Sequence, residues 1–337
     1  MRTLQLVFFL VGCAALAWMV AQVGPDTLLG GLAAIGWAFA LTCSAHLAAL
    51  VLDSVILRVL ALEAGRAVPL LHVTRASVAG HALNEATPFG KVGEVTKYAI
   101  LTERLEPARA AGSLVAQNLL SFVVNCALIA LGAPIAILVF EADGAAAAAL
   151  GAVSGAFFIA GAVGVILLYR GLGTWPLRLL GRVRLGRLRI APDRIDRWQR
   201  GWLKVEAAWR AAAADRRAVR VAWLTSVASR LANVVEIALM LQFLGGEHVV
   251  PAALLSLGTS QAVGWILSFV PLQAGAAEGG AYLVFSAAGL PPHMGVLVEI
   301  GRKLRRVIFI ALGVAVLGWD TFRRYRRRPG GEPEQRG

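Results

Sequence analysis

Charged residues are scarce in this chain. Only 16% of its 337 residues are Asp, Glu, Lys or Arg, whereas 58% are apolar, and the mean hydropathy is +0.69. A water-soluble domain of this length needs a larger share of charge on its surface. Several apolar runs also reach the roughly 20 residues that cross about 30 Å of hydrocarbon. The composition therefore excludes an ordinary soluble domain and indicates a membrane protein.

Cysteine and histidine are few as well. The three cysteines, Cys13, Cys43 and Cys126, lie within apolar runs and form no CxxC pair. The five histidines are scattered along the sequence, and no HExxH, DxD or serine–histidine pairing occurs. These absences argue against a disulfide framework and a metal site. We therefore predict no catalytic residue, no metal and no cofactor, and we expect that the chain is not an enzyme.

The net charge of +13 at first suggests a nucleic-acid partner. However, the basic residues crowd into residues 170–220 and 323–328, and both segments adjoin apolar runs. An excess of Lys and Arg beside membrane spans marks the cytoplasmic side. We therefore expect no nucleic acid among the partners and place both segments in the cytoplasm.

Apolar runs predict five full crossings, at about residues 4–23, 28–52, 112–140, 145–169 and 219–244. The first run is interpreted as a retained helix, because it is long for a signal peptide and no clear cleavage site follows it. A long helix at about 294–322 supplies a sixth crossing. With the basic loops inside, the chain first returns to the cytoplasm near Asp53, and both termini are cytoplasmic. The expected location is the bacterial inner membrane.

Two other apolar stretches are interrupted by helix-breaking residues. Residues 67–82 and 95–102 flank one break, and residues 251–270 and 279–289 flank a second. The last of these segments forms only about 16 Å of helix at 1.5 Å per residue, which is too short to cross. Both stretches are therefore predicted to be re-entrant hairpins.

These elements predict an all-α polytopic membrane protein with about six full crossings and two re-entrant broken-helix hairpins. Because each half has two crossings, a hairpin and one long crossing, and the halves start on opposite sides, they form an inverted repeat. A single membrane domain is expected over residues 1–322, with halves at about 4–140 and 145–322. A basic cytoplasmic loop occupies residues 170–218, and residues 323–337 form a basic cytoplasmic tail.

Both breaks contain a proline, then a glycine, then a glutamate. Proline ends the incoming helix, and glutamate suits the positive end of the outgoing one. Freed backbone amides at such a helix start can hold an anion such as a lipid phosphate. An ordinary loop with a helix-capping acid is the alternative, but recurrence in both halves favours a binding site. The candidate residues of the breaks are Asn84, Glu85, Pro88, Gly93, Glu94, Lys97, Pro271, Gly275 and Glu278.

These break motifs resemble those of the lysylphosphatidylglycerol synthase transmembrane-region family, also described as flippase-like, over roughly residues 5–322. Members fused to a soluble aminoacyl-transferase domain make and flip aminoacylated phosphatidylglycerol. Since the sequence ends about 15 residues after Phe322, the resemblance implies the translocating part without the synthetic one. Ala274 and Ala276 beside Gly275 depart from the more glycine-rich form of the motif, which leaves the substrate open.

Polar residues recur on one face of two predicted crossings. Because a charge that faces lipid costs roughly 2.5–3.5 kcal/mol on insertion scales, this face is expected to turn towards the protein interior or a wet cavity. In the 219–244 helix the stripe either lines the substrate path or forms a structural network with neighbouring helices. A weaker stripe in the 112–140 helix is expected to form interhelical hydrogen bonds. The two stripes are Ser226, Arg230, Asn233 and Glu236, and Asn118, Ser121 and Asn125.

Two basic segments complete the set of candidates. Arg302 and Arg305 belong to a cation cluster that is expected partway into the membrane, where it receives an anionic headgroup. The alternative is that the cluster caps a short final helix at the cytoplasmic surface. In the cytoplasmic loop, Trp198, Trp202 and Trp209 form one apolar stripe with basic residues beside it. This pattern is typical of an amphipathic helix on an anionic leaflet, with packing against the protein itself as the alternative.

The leading hypothesis is a lipid translocase that moves a phospholipid or an isoprenoid-linked anionic lipid across the membrane. Its partners are then this lipid substrate and anionic lipids of the inner leaflet, with a homo-oligomer left open. One alternative is an intramembrane lipid-modifying transferase, for which Glu85 and Glu94 are candidate carboxylates. Another is a non-catalytic scaffold subunit of an envelope-lipid synthase.

Overall fold

The computed structural model of the chain describes residues 35–61, 68–87, 92–141, 144–171, 192–266 and 276–326, together with residues 26, 29, 30, 33 and 173. Ten α-helices lie within these segments. They are α1 Ala38–Leu60, α2 Leu70–Ala86, α3 Val92–Leu101, α4 Pro107–Val139, α5 Gly144–Arg170, α6 Pro192–Ala214, α7 Arg216–Phe243, α8 Val249–Ile266, α9 Ala276–Ala287 and α10 Pro292–Arg326.

Four of these helices, α1, α4, α5 and α7, are long and apolar enough to cross a membrane. The last three agree with the predicted crossings at 112–140, 145–169 and 219–244. The predicted crossing at 4–23 lies outside the described residues. Together with the absence of strands from the described segments, these helices confirm a polytopic all-α membrane protein.

The crossing predicted at 28–52 is displaced in the structure. Gly36 adopts a left-handed backbone conformation, with φ of 61°, and α1 begins two residues later at Ala38. The helix then continues to Leu60 and includes Asp53, which the sequence analysis placed at the cytoplasmic return. The prediction was wrong here because the acidic residue was taken as the end of the apolar run, although apolar residues resume two positions later, at Val55.

The two predicted breaks coincide with gaps between helices. α2 ends at Ala86 and α3 begins at Val92, whereas α8 ends at Ile266 and α9 begins at Ala276. Beyond the second gap, α10 is a single helix of 35 residues that includes the predicted segment 294–322. The arms of each gap pack on one another, α2 against α3 and α8 against α9.

Helix α10 is the element that brings the two breaks together. Three of its glycines lie where another helix approaches closely: Gly295 at α9, Gly301 beside Met240 of α7, and Gly313 beside Ala82 of α2. A Cβ at Gly313 would also lie 3.1 Å from the carbonyl oxygen of Val78. Small residues allow such close helix crossings in a membrane protein. One long helix thus contacts the second hairpin, the α7 crossing and the first hairpin.

Helix α5 forms an outer face of the bundle. It packs mainly on α4, with Gly161 beside Cys126 and Gly164 beside Val123. Only 6% of the most apolar 18-residue stretch of this helix is buried. Large apolar side chains such as Phe158 and Ile159 are exposed. An extended apolar surface of this kind fits a lipid environment.

Candidate functional site

The side chain of Asn84 links the two arms of the first helix break. Its Oδ1 accepts a hydrogen bond from the backbone N–H of Gly93 at 2.9 Å, and its Nδ2 donates to Oε1 of Glu94 at 2.9 Å. Thr87, which follows α2, is extended, as is usual for a residue before proline. Pro88 itself lies outside the described residues. The predicted motif residues Asn84, Gly93 and Glu94 therefore meet.

Glu94 receives hydrogen bonds from three helices. Besides Asn84 of α2, the ammonium group of Lys97 in α3 lies 2.8 Å from Oε1, and Nδ2 of Asn118 in α4 lies 2.9 Å from Oε2. The interhelical hydrogen bond expected for Asn118 is thus confirmed. A partly buried carboxylate with a cation and two amide donors is well compensated for the loss of water. Glu94 therefore holds the first break against α4.

The second break has a related arrangement. Glu278 lies in the first turn of α9, and its Oε1 contacts the ammonium group of Lys303 in α10. Each break is therefore followed by a helix whose first turn carries a glutamate paired with a lysine. Pro271 and Gly275 lie outside the described residues.

A row of four cations in α10 is paired with four carboxylates from four different helices. The cationic side chains are only 5–11% exposed. The N···O distance is 2.9 Å for Arg302 with Glu299. It is 3.0 Å for Arg305 with Glu236 and for Arg306 with Glu85. The pairs are Arg302 with Glu299, Lys303 with Glu278, Arg305 with Glu236, and Arg306 with Glu85. We call this set the α10 ion row.

Pairing is what allows these groups to be buried. Removing one partner of a buried ion pair leaves an uncompensated charge, which costs about 3–5 kcal/mol. Arg302 and Arg305, predicted to receive an anionic headgroup, thus already have carboxylate partners within the described residues. An anionic headgroup would reach them by taking the place of a carboxylate. Glu299 was missed by the sequence analysis, although its position three residues before Arg302 is typical of a helical ion pair.

The polar stripe of α7 contacts neighbouring helices. The guanidinium group of Arg230 lies 3.1 Å from both carboxylate oxygens of Asp53 in α1, and Ser229 donates to Asp53 at 2.7 Å. Glu236, two turns further along, contacts both α10 and α1, through Arg305 and His46. Asn233 is half-buried between them. Arg230 and Glu236 thus do not pair with one another; each has a partner on a neighbouring helix, which favours a structural network for this stripe.

Two histidines meet beside Glu236. Nδ1 of His46 in α1 lies 3.2 Å from Oε2 of Glu236 and contacts Nη1 of Arg305. Its Nε2 lies 3.3 Å from Nε2 of His81 in α2. The histidines are scattered along the sequence, but these two meet in the fold. No local spacing reveals it, because the two residues are 35 positions apart and meet only through the packing of α1 on α2.

Helix α6 packs on the protein with its tryptophans. Trp209 is fully buried and its indole N–H donates to the carbonyl of Leu168 at 2.8 Å, while Trp202 donates to the carbonyl of Gly173. The prediction that Trp209 lies on a leaflet is therefore wrong, and packing against the protein's own helices is correct. The side chain of Trp198 lies outside the described residues. Lys204 and Arg200 remain exposed on the outer face of α6.

A cavity of about 470 Å³ opens where α4, α7 and α9 end and α8 and α10 begin. Its apolar wall includes Leu241, Phe285 and Met294. Glu247 and His248 lie at its rim and are exposed. The loops that surround it are those that the charge pattern assigns to the side opposite the basic loop.

Comparison with known proteins adds one finding. The model of a family described as "Lysylphosphatidylglycerol synthase TM region" matches residues 4–313 of the chain. A search of curated proteins found no match.

Proposed function

We propose that this chain, which belongs to the lysylphosphatidylglycerol synthase TM region family, is a translocase that moves a lipid with an anionic headgroup across the bacterial inner membrane. The substrate class is a phospholipid or an isoprenoid-linked phosphate. The proposal assigns the chain a transport role and no catalytic residue. The observation that carries it is the α10 ion row, which reaches both helix breaks inside an apolar bundle.

An ion row at this place is informative because charges at membrane depth are expensive. An Arg or Lys at the centre of a membrane helix costs roughly 2.5–3.5 kcal/mol on insertion scales. A purely structural helix has no need for four of them, since well-packed apolar residues serve as well as or better than buried ion pairs. Intramembrane charges therefore indicate a polar path for a substrate or an ion.

The row also has the chemistry to pass an anion. A phosphate offers a guanidinium group the same paired acceptors as a carboxylate, so it can replace Glu236 or Glu85 at Arg305 or Arg306 without leaving a cation unpaired. The displaced glutamate needs a proton, water or another cation in turn. Uptake of a proton by the displaced glutamate keeps the charge balance while the headgroup advances along the row.

The packing of the helices supports the inverted repeat that this function uses. The long helix of the first half, α4, packs on α8 of the second hairpin, and the long helix of the second half, α10, packs on α2 of the first hairpin. The helices that precede the hairpins, α1 and α7, pack on each other. The long helix of each half thus packs on the hairpin of the other half. A two-fold relation between the halves produces this arrangement. Transporters with inverted repeats place the site at their broken helices.

The proposed topology follows from the same elements. The two hairpins re-enter from opposite sides, α10 makes the last full crossing, and both termini lie in the cytoplasm with the basic loop that contains α6. Lysine and arginine in that loop favour retention on the cytoplasmic side. The exposed cations of α6 then face the anionic inner leaflet.

The direct test is lipid exchange in liposomes that contain the purified protein. Fluorescent phosphatidylglycerol or an isoprenyl phosphate is the probe, and dithionite reports the fraction of label in the outer leaflet. We expect rapid equilibration in the wild type and its loss in Glu94→Gln and Glu278→Gln, because each change leaves a buried lysine without its carboxylate. Glu247→Gln, at an exposed position on the loop, is the matched control and retains activity.

The outcomes separate the competing functions. Exchange no faster than in empty vesicles, over a panel of anionic lipids, contradicts translocation. A chemically altered lipid detected by mass spectrometry would instead indicate a transferase. A scaffold would be indicated if the lipid is neither exchanged nor chemically altered, and if the glutamine variants function in cells as well as the wild type. Tryptophan fluorescence melting, with nine tryptophans in the chain, verifies that each variant is folded.

A further inference from the structure

One ring nitrogen of the buried His46 faces both a donor and an acceptor. Its Nδ1 lies 3.2 Å from a carboxylate oxygen of Glu236 and contacts Nη1 of Arg305. The same guanidinium group also pairs with Glu236, with Nε at 3.0 Å from Oε1. Three groups from α1, α7 and α10 therefore share one small volume, and the side chains of all three are at most 8% exposed.

The chemistry of imidazole permits only one of these contacts to be a hydrogen bond at a time. Without a proton, Nδ1 is an acceptor and the N–H of Arg305 donates to it. With a proton, Nδ1 is a donor, so it binds Glu236 and can no longer accept from Arg305. The added positive charge then also repels the guanidinium group. Neutral His46 with its one proton on Nε2 and doubly protonated His46 thus correspond to two different partners for Glu236.

The second nitrogen of the ring continues the contact towards the first break. Nε2 of His46 lies 3.3 Å from Nε2 of His81, so one of the two must carry the proton that the other accepts. His81 is one helical turn before Glu85, whose carboxylate pairs with Arg306. The chain of titratable groups therefore runs from Glu236 through both histidines to Glu85 at the break.

Other charges act on this pair from every helix around it. Glu236 of α7 and Arg305 of α10 face His46, and Glu85 of α2 acts on both rings. Lys97 of α3 acts on His81. Cys43 lies on the same helix as His46, about one turn away. Two carboxylates and two cations from four helices are thus the charged groups that act on the two rings.

We propose that His46 and His81 form a proton-binding site, and that protonation of His46 transfers Glu236 from Arg305 to the imidazolium and frees Arg305 for the anionic headgroup. The second part rests on the proposed transport function. By linkage, binding of an anion at Arg305 favours protonation of His46 to the same degree that protonation favours anion binding. Lipid movement is thereby coupled to a proton.

The proton site is tested without transport by nitrogen NMR of the ¹⁵N-histidine-labelled full chain in phosphatidylcholine nanodiscs. The five histidine signals are assigned by single glutamine variants; if His46→Gln does not fold, its signal is assigned by elimination from the other four. We expect the Nδ1 signal of His46 to move from its unprotonated to its protonated position as the pH falls between about 8 and 5. Phosphatidylglycerol in the nanodisc shifts this change to higher pH.

Coupling is tested in the liposome assay as a function of pH. If one proton is required, exchange of fluorescent phosphatidylglycerol in the wild type accelerates by up to about tenfold per unit fall in pH. We expect His46→Gln to lose this slope, because glutamine cannot take up the proton. His293→Gln, at an exposed position in the first turn of α10, retains it.

The results test the proton site and the proposed transport function separately. A His46 signal that responds neither to pH nor to phosphatidylglycerol overturns the proton site, as does an unchanged pH slope in folded His46→Gln. If no lipid is exchanged at any pH, the proposed function fails. A His46 signal that still shifts when phosphatidylglycerol is added then supports release of Arg305 by a bound anion, independently of transport.

Discussion

Gly93 and Gly80 face each other where α3 approaches α2. A Cβ on Gly93 would run into the carbonyl oxygen of Gly80 and the side chain of Asn84. The backbone N–H of Gly93 is also the donor to Asn84 at 2.9 Å. Gly93, a candidate residue of the first break, is thus a point of close contact, and its lack of a side chain allows the Asn84–Glu94 connection to form.

We expect Gly93→Ala to destabilise the protein by about 1–3 kcal/mol or more, because the added methyl group meets backbone that cannot move aside easily. The measurement is thermal unfolding in detergent, followed by tryptophan fluorescence. Gly279→Ala is the matched control, since it lies beside the motif glutamate of the second break and has nothing within 4 Å of the added carbon. Equal melting temperatures for the two variants would contradict the close contact at Gly93.

Individual residues show where sequence reasoning stops. Glu94, Glu278 and Arg305 were identifiable because a charge or a breaker within an apolar run is conspicuous. Which residues meet in the fold was not identifiable. Asp53 with Arg230 and His46 with His81, for example, are joined by tertiary packing over long stretches of chain. Sequence alone predicts that a buried charge needs a partner, but it does not say which helix supplies it.

At the scale of elements, the α10 ion row connects α10 with three other helices. Arg306 reaches Glu85 in α2, Arg305 reaches Glu236 in α7, and Lys303 reaches Glu278 in α9. Arg302, Arg305 and Arg306 are three and four residues apart and share one face of α10. Lys303 is turned away from Arg302 by roughly 100°, towards α9. The row therefore fixes the rotation of α10 as well as its position.

A charge exchange between Glu85 and Arg306 tests this role. We expect Glu85→Arg and Arg306→Glu each to lower stability, because each places like charges about 3 Å apart at the contact. The double variant should recover much of the loss, with a coupling energy of about 0.5–3 kcal/mol in a double-mutant cycle of thermal unfolding. A parallel cycle between Glu85 and the exposed Arg216 should be additive; equal coupling in both cycles would contradict the contact.

The accuracy of the predicted helix ends depended on how a charged residue within an apolar run was interpreted. The crossings at 112–140, 145–169 and 219–244 were predictable because the runs are long and little interrupted. The end of α1 was not, since Asp53 was taken as a helix end although Arg230 neutralises it inside the bundle. For α6, the alternation of tryptophan and basic residues predicted the amphipathic helix, but the same pattern fits a leaflet and a protein surface equally well.

At the scale of the whole molecule, the charge pattern assigns α6 and the α7–α8 loop to opposite sides of the membrane. We expect Lys204→Cys to react with a membrane-impermeant maleimide only after the inner membrane is opened, and Glu247→Cys to react in intact spheroplasts. Both positions are exposed. The background variant lacks Cys13, Cys43 and Cys126. The reverse labelling pattern would invert the topology and with it the proposed direction of each hairpin.

The α10 ion row also has a consequence for biosynthesis. A helix with four cations is disfavoured in the bilayer when it is alone, by roughly 2.5–3.5 kcal/mol for each central charge. Its partners Glu85, Glu236, Glu278 and Glu299 all precede the cations in the chain. When α10 leaves the ribosome, every counter-ion has already been made, and three of them belong to helices available for docking. Helix α10 thus completes the charge balance of the described helices that precede it in the chain.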